Sequence, residues 1–105
     1  MIINVHVVAS IHSDRTYAVT ETVSLLQSAR TGTEVVTDVP NTTLISDLIL
    51  AITTQLGITN LPIHEPFHMV KLANDDIFLD ATKTLAEEGI VANDVLHLRV
   101  TMYLA

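Results

Sequence analysis

Thr84-Leu85-Ala86-Glu87-Glu88-Gly89-Ile90-Val91-Ala92-Asn93-Asp94-Val95-Leu96-His97-Leu98-Arg99-Val100 is the stretch whose reading decides the fold. Thr84 to Glu88 has the composition of a single helical turn. Gly89 can stop that turn, because a residue without Cβ takes a left-handed conformation at little cost. Asn93-Asp94 is a turn pair. Val95 to Val100 then alternates as a strand, with Leu96, Leu98 and Val100 on one face and Val95, His97 and Arg99 on the other.

Outward from there, the chain is a series of short strands around one helix. Ile2 to Val8 alternates as a first strand, with Ile3, Val5 and Val7 on one face and Asn4, His6 and Val8 on the other. Ser13-Asp14 is a turn signal. Arg15 to Val23 alternates loosely, Ser24 to Arg30 has no clear assignment, and Thr31-Gly32-Thr33 breaks the chain. Glu34 to Val39 is a β-branched strand. After Pro40, Asn41, Thr42 and Thr43 are candidate caps, and Ser46 and Asp47 suit a first helical turn. Leu44, Ile45, Leu48, Ile49, Ile52 and Leu56 recur at helical spacing up to Gly57. Thr59 to Pro66 is a loop held by Pro62 and Pro66. Phe67 to Ala73 reads as a third strand with Val70 and Leu72 inward. Asn74-Asp75-Asp76 turns the chain into a short fourth strand, Ile77 to Leu79. The order predicts an α+β fold. Two pairings are open for the first strand. Either Arg15–Val23 lies beside it, or Glu34–Val39 does, with residues 10–32 as an elaborated connection carrying its own hairpin.

Composition narrows the function. The 105 residues suffice for one domain and one core. Apolar residues make up 49% of the chain and charged residues 16%, below the usual quarter or so. Twelve acidic against five basic residues give a net charge of −7, which disfavours nucleic acid and anionic lipid as partners. The basic residues Arg15, Arg30, Lys71, Lys83 and Arg99 do not cluster in sequence. The absence of cysteine excludes disulfides, thiolate catalysis and cysteine-ligated zinc. No signal-peptide pattern opens the chain, and Leu44 to Ile58 is too short and too rich in threonine to span a bilayer. The expectation is a cytoplasmic protein without membrane insertion.

The segments Met69 to Leu79, Thr84 to Ile90 and Asn93 to Leu98 together resemble ubiquitin-like proteins. In detail they are most similar to the bacterial YukD/EsaB family, small ubiquitin-like proteins linked to type VII secretion, whose related domains form the cytosolic N-terminal part of the EccD membrane component. The likeness lies in the Asn-Asp turn before Ile77-Phe78-Leu79, the Thr84-Leu85…Gly89-Ile90 stop, the final strand after an Asp turn, and the loop Leu61 to Pro66. It covers roughly residues 33–100 and the first strand. Asn93-Asp94 stands where the family usually has Gly-Asp, a tolerable change because Asn also accepts left-handed geometry. The 10–32 connection is a departure. The resemblance implies a ubiquitin-like β-grasp with a mixed sheet of four or five strands, one crossing helix and a short turn helix. It also favours Glu34–Val39 as the second strand, since that strand runs straight into the helix.

It further implies a non-enzymatic module that binds a protein, an accessory or regulatory component of a type VII-like secretion system, with a membrane secretion component among its partners. Conjugation and sulfur transfer in the wider fold use a flexible Gly-Gly tail, and Val100 to Ala105 contains no glycine. A modifier activated at its C-terminus is therefore the disfavoured alternative. A self-associating subunit, dimerising through a sheet edge at Val100–Leu104 or the 10–32 connection, is the other. The five histidines are the candidates for chemistry near neutral pH. His64 and His68 are separated by Pro66, which removes the helix that would align them. His6 and His97 fall on neighbouring strands of a β-grasp sheet, facing away from the helix, with Arg99 and Lys71 nearby. Two readings are open for His6, Lys71, His97 and Arg99: a solvated sheet face, or the face that recognises a partner. No pattern in the sequence supports a catalytic site, a metal or a cofactor.

Overall fold

The computed structural model describes residues 1–13, 16–58, 68–71 and 77–104, with the backbone alone described at Ser13, His68, Val70, Lys71, Tyr103 and Leu104. Its elements are β1 (Ile2–Ser13), α1 (Val19–Ser28), β2 (Glu34–Asp38), α2 (Ile45–Leu56), β3 (His68–Lys71) and β4 (Val95–Leu104). The architecture is α+β. The strands lie in the order β2-β1-β4-β3. β1 is antiparallel to β2, with Ile2 opposite Asp38 and His6 opposite Glu34. It is parallel to β4 from Asn4–Val95 to Ser13–Leu104. β3 is antiparallel to β4, with Met69 opposite Leu98. Beyond β3, Leu79 N–H donates to the Met69 carbonyl at 2.8 Å. Among the described residues, the expected strand Ile77–Leu79 amounts to this bond and a bridge position at Phe78.

Alternation sorts the sheet into a core face and an outer face. Ile3, Val5 and Val7 of β1 and Leu96, Leu98, Val100 and Met102 of β4 are all buried. Ile45, Leu48 and Ile52 of α2 belong to the same cluster, which Ile58, Leu85 and Ile90 complete. Fully burying each such aliphatic side chain stabilises the fold by about 1.5–3 kcal/mol before entropy is counted. β1 runs well past the expected end at Val8 because Ala9 and Ile11 continue its inner row opposite Val100 and Met102. A strand of 12 residues at about 3.3 Å per residue accounts for the 42 Å long axis.

The 10–32 connection holds a helix in place of the expected hairpin, and among the described residues 16–23 do not pair with β1. Thr22, Leu25, Leu26 and Ala29 follow the i, i+3, i+4, i+7 spacing of a helical face. Ala29 is buried, and Leu25 and Leu26 pack against the core cluster. The turn after α1 returns to the sheet edge: Val7 N–H donates to the Thr33 carbonyl and Gly32 N–H to the Val7 carbonyl, both at 2.9 Å. β2 is thus the strand beside β1. The expected turns and loops at Ser13-Asp14, Thr59–Pro66 and Asn74–Asp76 lie wholly or partly outside the described residues.

The start of α2 is capped differently from the sequence expectation. Its N-cap is Leu44, with no side-chain cap from Asn41, Thr42 or Thr43. Instead Ile45 N–H donates to the Lys83 carbonyl at 2.9 Å and Ser46 N–H to the Ala81 carbonyl at 3.0 Å. In return, Leu85 and Ala86 N–H donate to the Thr43 and Asn41 carbonyls, both at 3.0 Å. The 84–90 turn has a reciprocal capping box: Thr84 N–H donates to Glu87 Oε1 at 3.0 Å, and Glu87 N–H to Thr84 Oγ1 at 3.2 Å. It closes at Gly89 (φ 71°), as α2 closes at Gly57 (φ 70°), and Asn93 is left-handed as the turn pair requires (φ 68°).

Two outcomes follow for stability. Leu98→Ala removes a side chain with 0% exposure from the centre of the sheet, and urea unfolding should show a loss of about 2–5 kcal/mol. Hydrogen bonds from Thr84 hold the Glu87 carboxyl below its ordinary 4.5, and those from Thr82 hold Asp80 below 3.8. A depressed folded-state value means that this contribution is present above those ordinary values and is lost as pH falls through the lower ones. The acid limb of a thermal-stability profile should therefore flatten in an Asp80→Asn, Glu87→Gln double variant.

Candidate functional site

The outer face of the sheet brings together most of the residues singled out in the sequence. The register sets Glu34, His6 and His97 side by side across β2, β1 and β4, and Val8 beside Arg99 one row further along. The rings of His6 and His97 stack with centroids 6.0 Å apart and planes 27° from parallel. His6 Nε2 lies 3.7 Å from Glu34 Oε1, an ion pair only when the imidazole carries its second proton. Arg99 is half-buried, and its Nε–H is buried with no hydrogen-bond partner among the described residues. A buried donor left unpaired costs free energy, so this nitrogen calls for an acceptor.

Of Lys71 only the backbone is described. Its backbone pairs with Leu96, a residue of the core-facing row, whereas Val70 pairs with His97 and His68 with Arg99. The register therefore places Met69, which is buried, in the inner row of β3, where the sequence suggested Val70 and Leu72. A shift of one residue exchanges the two faces of a strand, and Met69, Val70 and Leu72 are all apolar enough to satisfy either phase. His64 lies outside the described residues, and of His68 only the backbone is described.

Sequence reasoning placed Val8 on this face but missed Ile2 and Val36 beside it. Ile2, Val8 and Val36 are 47%, 40% and 67% exposed and stand in outer-face positions of β1 and β2. Glu34 was also missed as a neighbour of His6. The alternation of Glu34, Val36 and Asp38 was visible, but its phase relative to His6 depends on the hairpin register. Elsewhere, an open groove of about 520 Å³ runs along α1, lined by Tyr17, Thr20, Glu21, Ser24 and Leu25. Among the described residues, no group of three or more His, Asp or Glu side chains is placed to hold a metal ion. No described helix is long and apolar enough to cross a membrane.

No protein-family model matches the chain, and no curated protein sequence matches it. The outer face must therefore be read from its own chemistry. It offers a stacked imidazole pair with the Glu34 carboxylate beside it, one guanidinium, and the exposed β-branched side chains of Ile2, Val8 and Val36. The His6–His97 pair also tests the register. A double-mutant cycle with His6→Ala and His97→Ala should give a coupling of about 0.2–1 kcal/mol, the range of cross-strand pairs. Additive losses would mean that the rings do not meet.

Proposed function

We propose that this chain is a ubiquitin-like β-grasp module that docks on a protein partner through the outer face of its sheet, without catalysis and without being conjugated. The carrying observation is the arrangement β2-β1-β4-β3, with α2 packed over one face and, among the described residues, no element packed over the other. The parallel central pair, the antiparallel hairpin feeding α2 and the Leu79–Met69 bond beyond β3 all suit a β-grasp. Val100 to Leu104 forms strand against β1 and so does not serve as the free tail that conjugation chemistry needs.

The resemblance of residues 69–98 to the YukD/EsaB family takes the proposal one step further: the partner is a component of a type VII-like secretion machine, and this chain is its accessory or regulatory subunit. A photocrosslinking amino acid placed at Val8 or at His97 in the producing cell tests both levels. Adducts with one defined secretion component are expected from these positions, but not from Asp47, an exposed position on α2. Equal adducts from Asp47 would overturn the docking face. A defined partner outside the secretion machinery would overturn only the finer assignment.

A further inference from the structure

We propose that the free edge of β2 takes up an extended basic segment of a protein partner as an added strand, with lysine or arginine side chains set against Glu34 and Asp38. β2 is the outermost strand on its side of the described sheet. Its hydrogen-bonding phase is fixed at both ends. Val7 N–H donates to the Thr33 carbonyl and Val39 N–H to the Met1 carbonyl, both at 2.9 Å. Successive residues of an antiparallel ladder turn their backbone groups to opposite sides. Thr33, Val35, Thr37 and Val39 therefore bond towards β1. The N–H and C=O groups of Glu34, Val36 and Asp38 point away from it, and among the described residues no strand lies there to receive them. An unpaired row of this kind is a template for another strand.

The side chains on that row choose the occupant. Glu34, Val36 and Asp38 project to one face in the order acid, apolar, acid, and Val36 is 67% exposed. Met1 N lies 3.0 Å from Asp38 Oδ1 and His6 Nε2 lies 3.7 Å from Glu34 Oε1. Both of these partners approach from the β1 side. The two carboxyl side chains remain 76% and 71% exposed and open to a group arriving along the free edge. A second copy of this chain is a poor occupant. Antiparallel pairing centred on Val36 would set Glu34 of each copy opposite Asp38 of the other, and like charges directly opposite destabilise a sheet. A segment reading basic, any, apolar, any, basic places opposite charge at both ends and an apolar side chain against Val36. The net charge of −7 favours its approach. This contact is separate from docking on the central strands, and either can hold without the other.

The test is a titration of the full isotope-labelled chain at low salt with the capped peptide Thr-Lys-Thr-Val-Thr-Lys-Thr, read by amide shifts. The peptide is the same in either strand direction. At millimolar concentration it is expected to move the amides of Glu34, Val36 and Asp38, and to bind more weakly as salt rises. The Glu34→Gln, Asp38→Asn double variant should bind about fivefold more weakly, as the loss of two cross-strand charge pairs allows. N-methylation of the peptide valine removes the N–H that would face the Val36 carbonyl, and should abolish binding. The isomer Thr-Thr-Lys-Val-Lys-Thr-Thr, which turns its lysines to the opposite face from its valine, should bind more weakly. The inference is overturned by equal binding of the N-methylated or rearranged peptide, by equal binding of a peptide with glutamate for lysine, by unchanged affinity in the double variant, by shifts confined to other surfaces, or by no binding. Crosslinking from Val8 and His97 is a separate readout, so its loss would sink docking on the central strands and leave the β2 edge standing.

Discussion

The parallel pairing of β1 with β4 is the constraint on which the rest of the structure depends. It joins residues near the two ends of the sequence, so nearly the whole chain must be closed into a loop before the pair can form. Loop-closure entropy grows only slowly with length, but it must be met before non-local contacts reward it. The two strands offset that cost with a continuous double row, in which Val5, Val7, Leu96, Leu98, Val100 and Met102 are all buried. Neither strand could bury its row alone. β2 and β3 then add to a centre that is already specified, and the helices cover its inner face.

Position along that centre is fixed by a second, smaller device. The backbone of residues 81–86 exchanges hydrogen bonds with residues 41–46, so the first N–H groups of α2 are satisfied by carbonyls from the turn that leads into β4. A helix start capped by a neighbouring segment cannot slide relative to it without orphaning those groups. The Thr84–Glu87 capping box stiffens the same turn. Leu85 and Ile90, both buried, anchor it in the core. The stretch that best announces the fold in sequence is thus also the one that locks α2 above the sheet.

Legibility followed the strength of local signals. The alternation of Leu96, Leu98 and Val100, the helical spacing of Ile45, Leu48 and Ile52, and the left-handed positions Gly57, Gly89 and Asn93 each have one physical reading, and each could be read directly. α1 was hidden because its face carries Thr22 and Ala29 beside only two leucines, a weak stripe preceded by loosely alternating residues. The extension of β1 was hidden because Ala9 and Ser10 carry little strand signal until Val100 and Met102 supply partners. The phase of β3 was undecidable locally, since Met69, Val70 and Leu72 are all apolar and only pairing with β4 chooses among them. The candidate face divides along the same line. His6, His97 and Arg99 follow from alternation on the central strands, whereas Glu34 joins by register, as does the pairing of the Lys71 backbone with Leu96, and composition does not encode register.

That division also bears on where the proposed docking would centre. Because the inner row is buried from Ile3 to Val7 and from Leu96 to Met102, Asn4, His6, His97 and Arg99 fall on the outer row. Along the paired stretches, β1 and β4 have neighbours on both sides. Their outer side chains therefore stand on backbone that cannot shift without breaking ladders on two flanks. A contact made there loses little freedom on binding, and preorganisation of this kind raises affinity without adding area. Edge positions on β2 and β3 lack that support. A partner gaining most from rigidity would thus centre on His6, Val8, His97 and Arg99, with Ile2, Val36 and Glu34 shaping its margin.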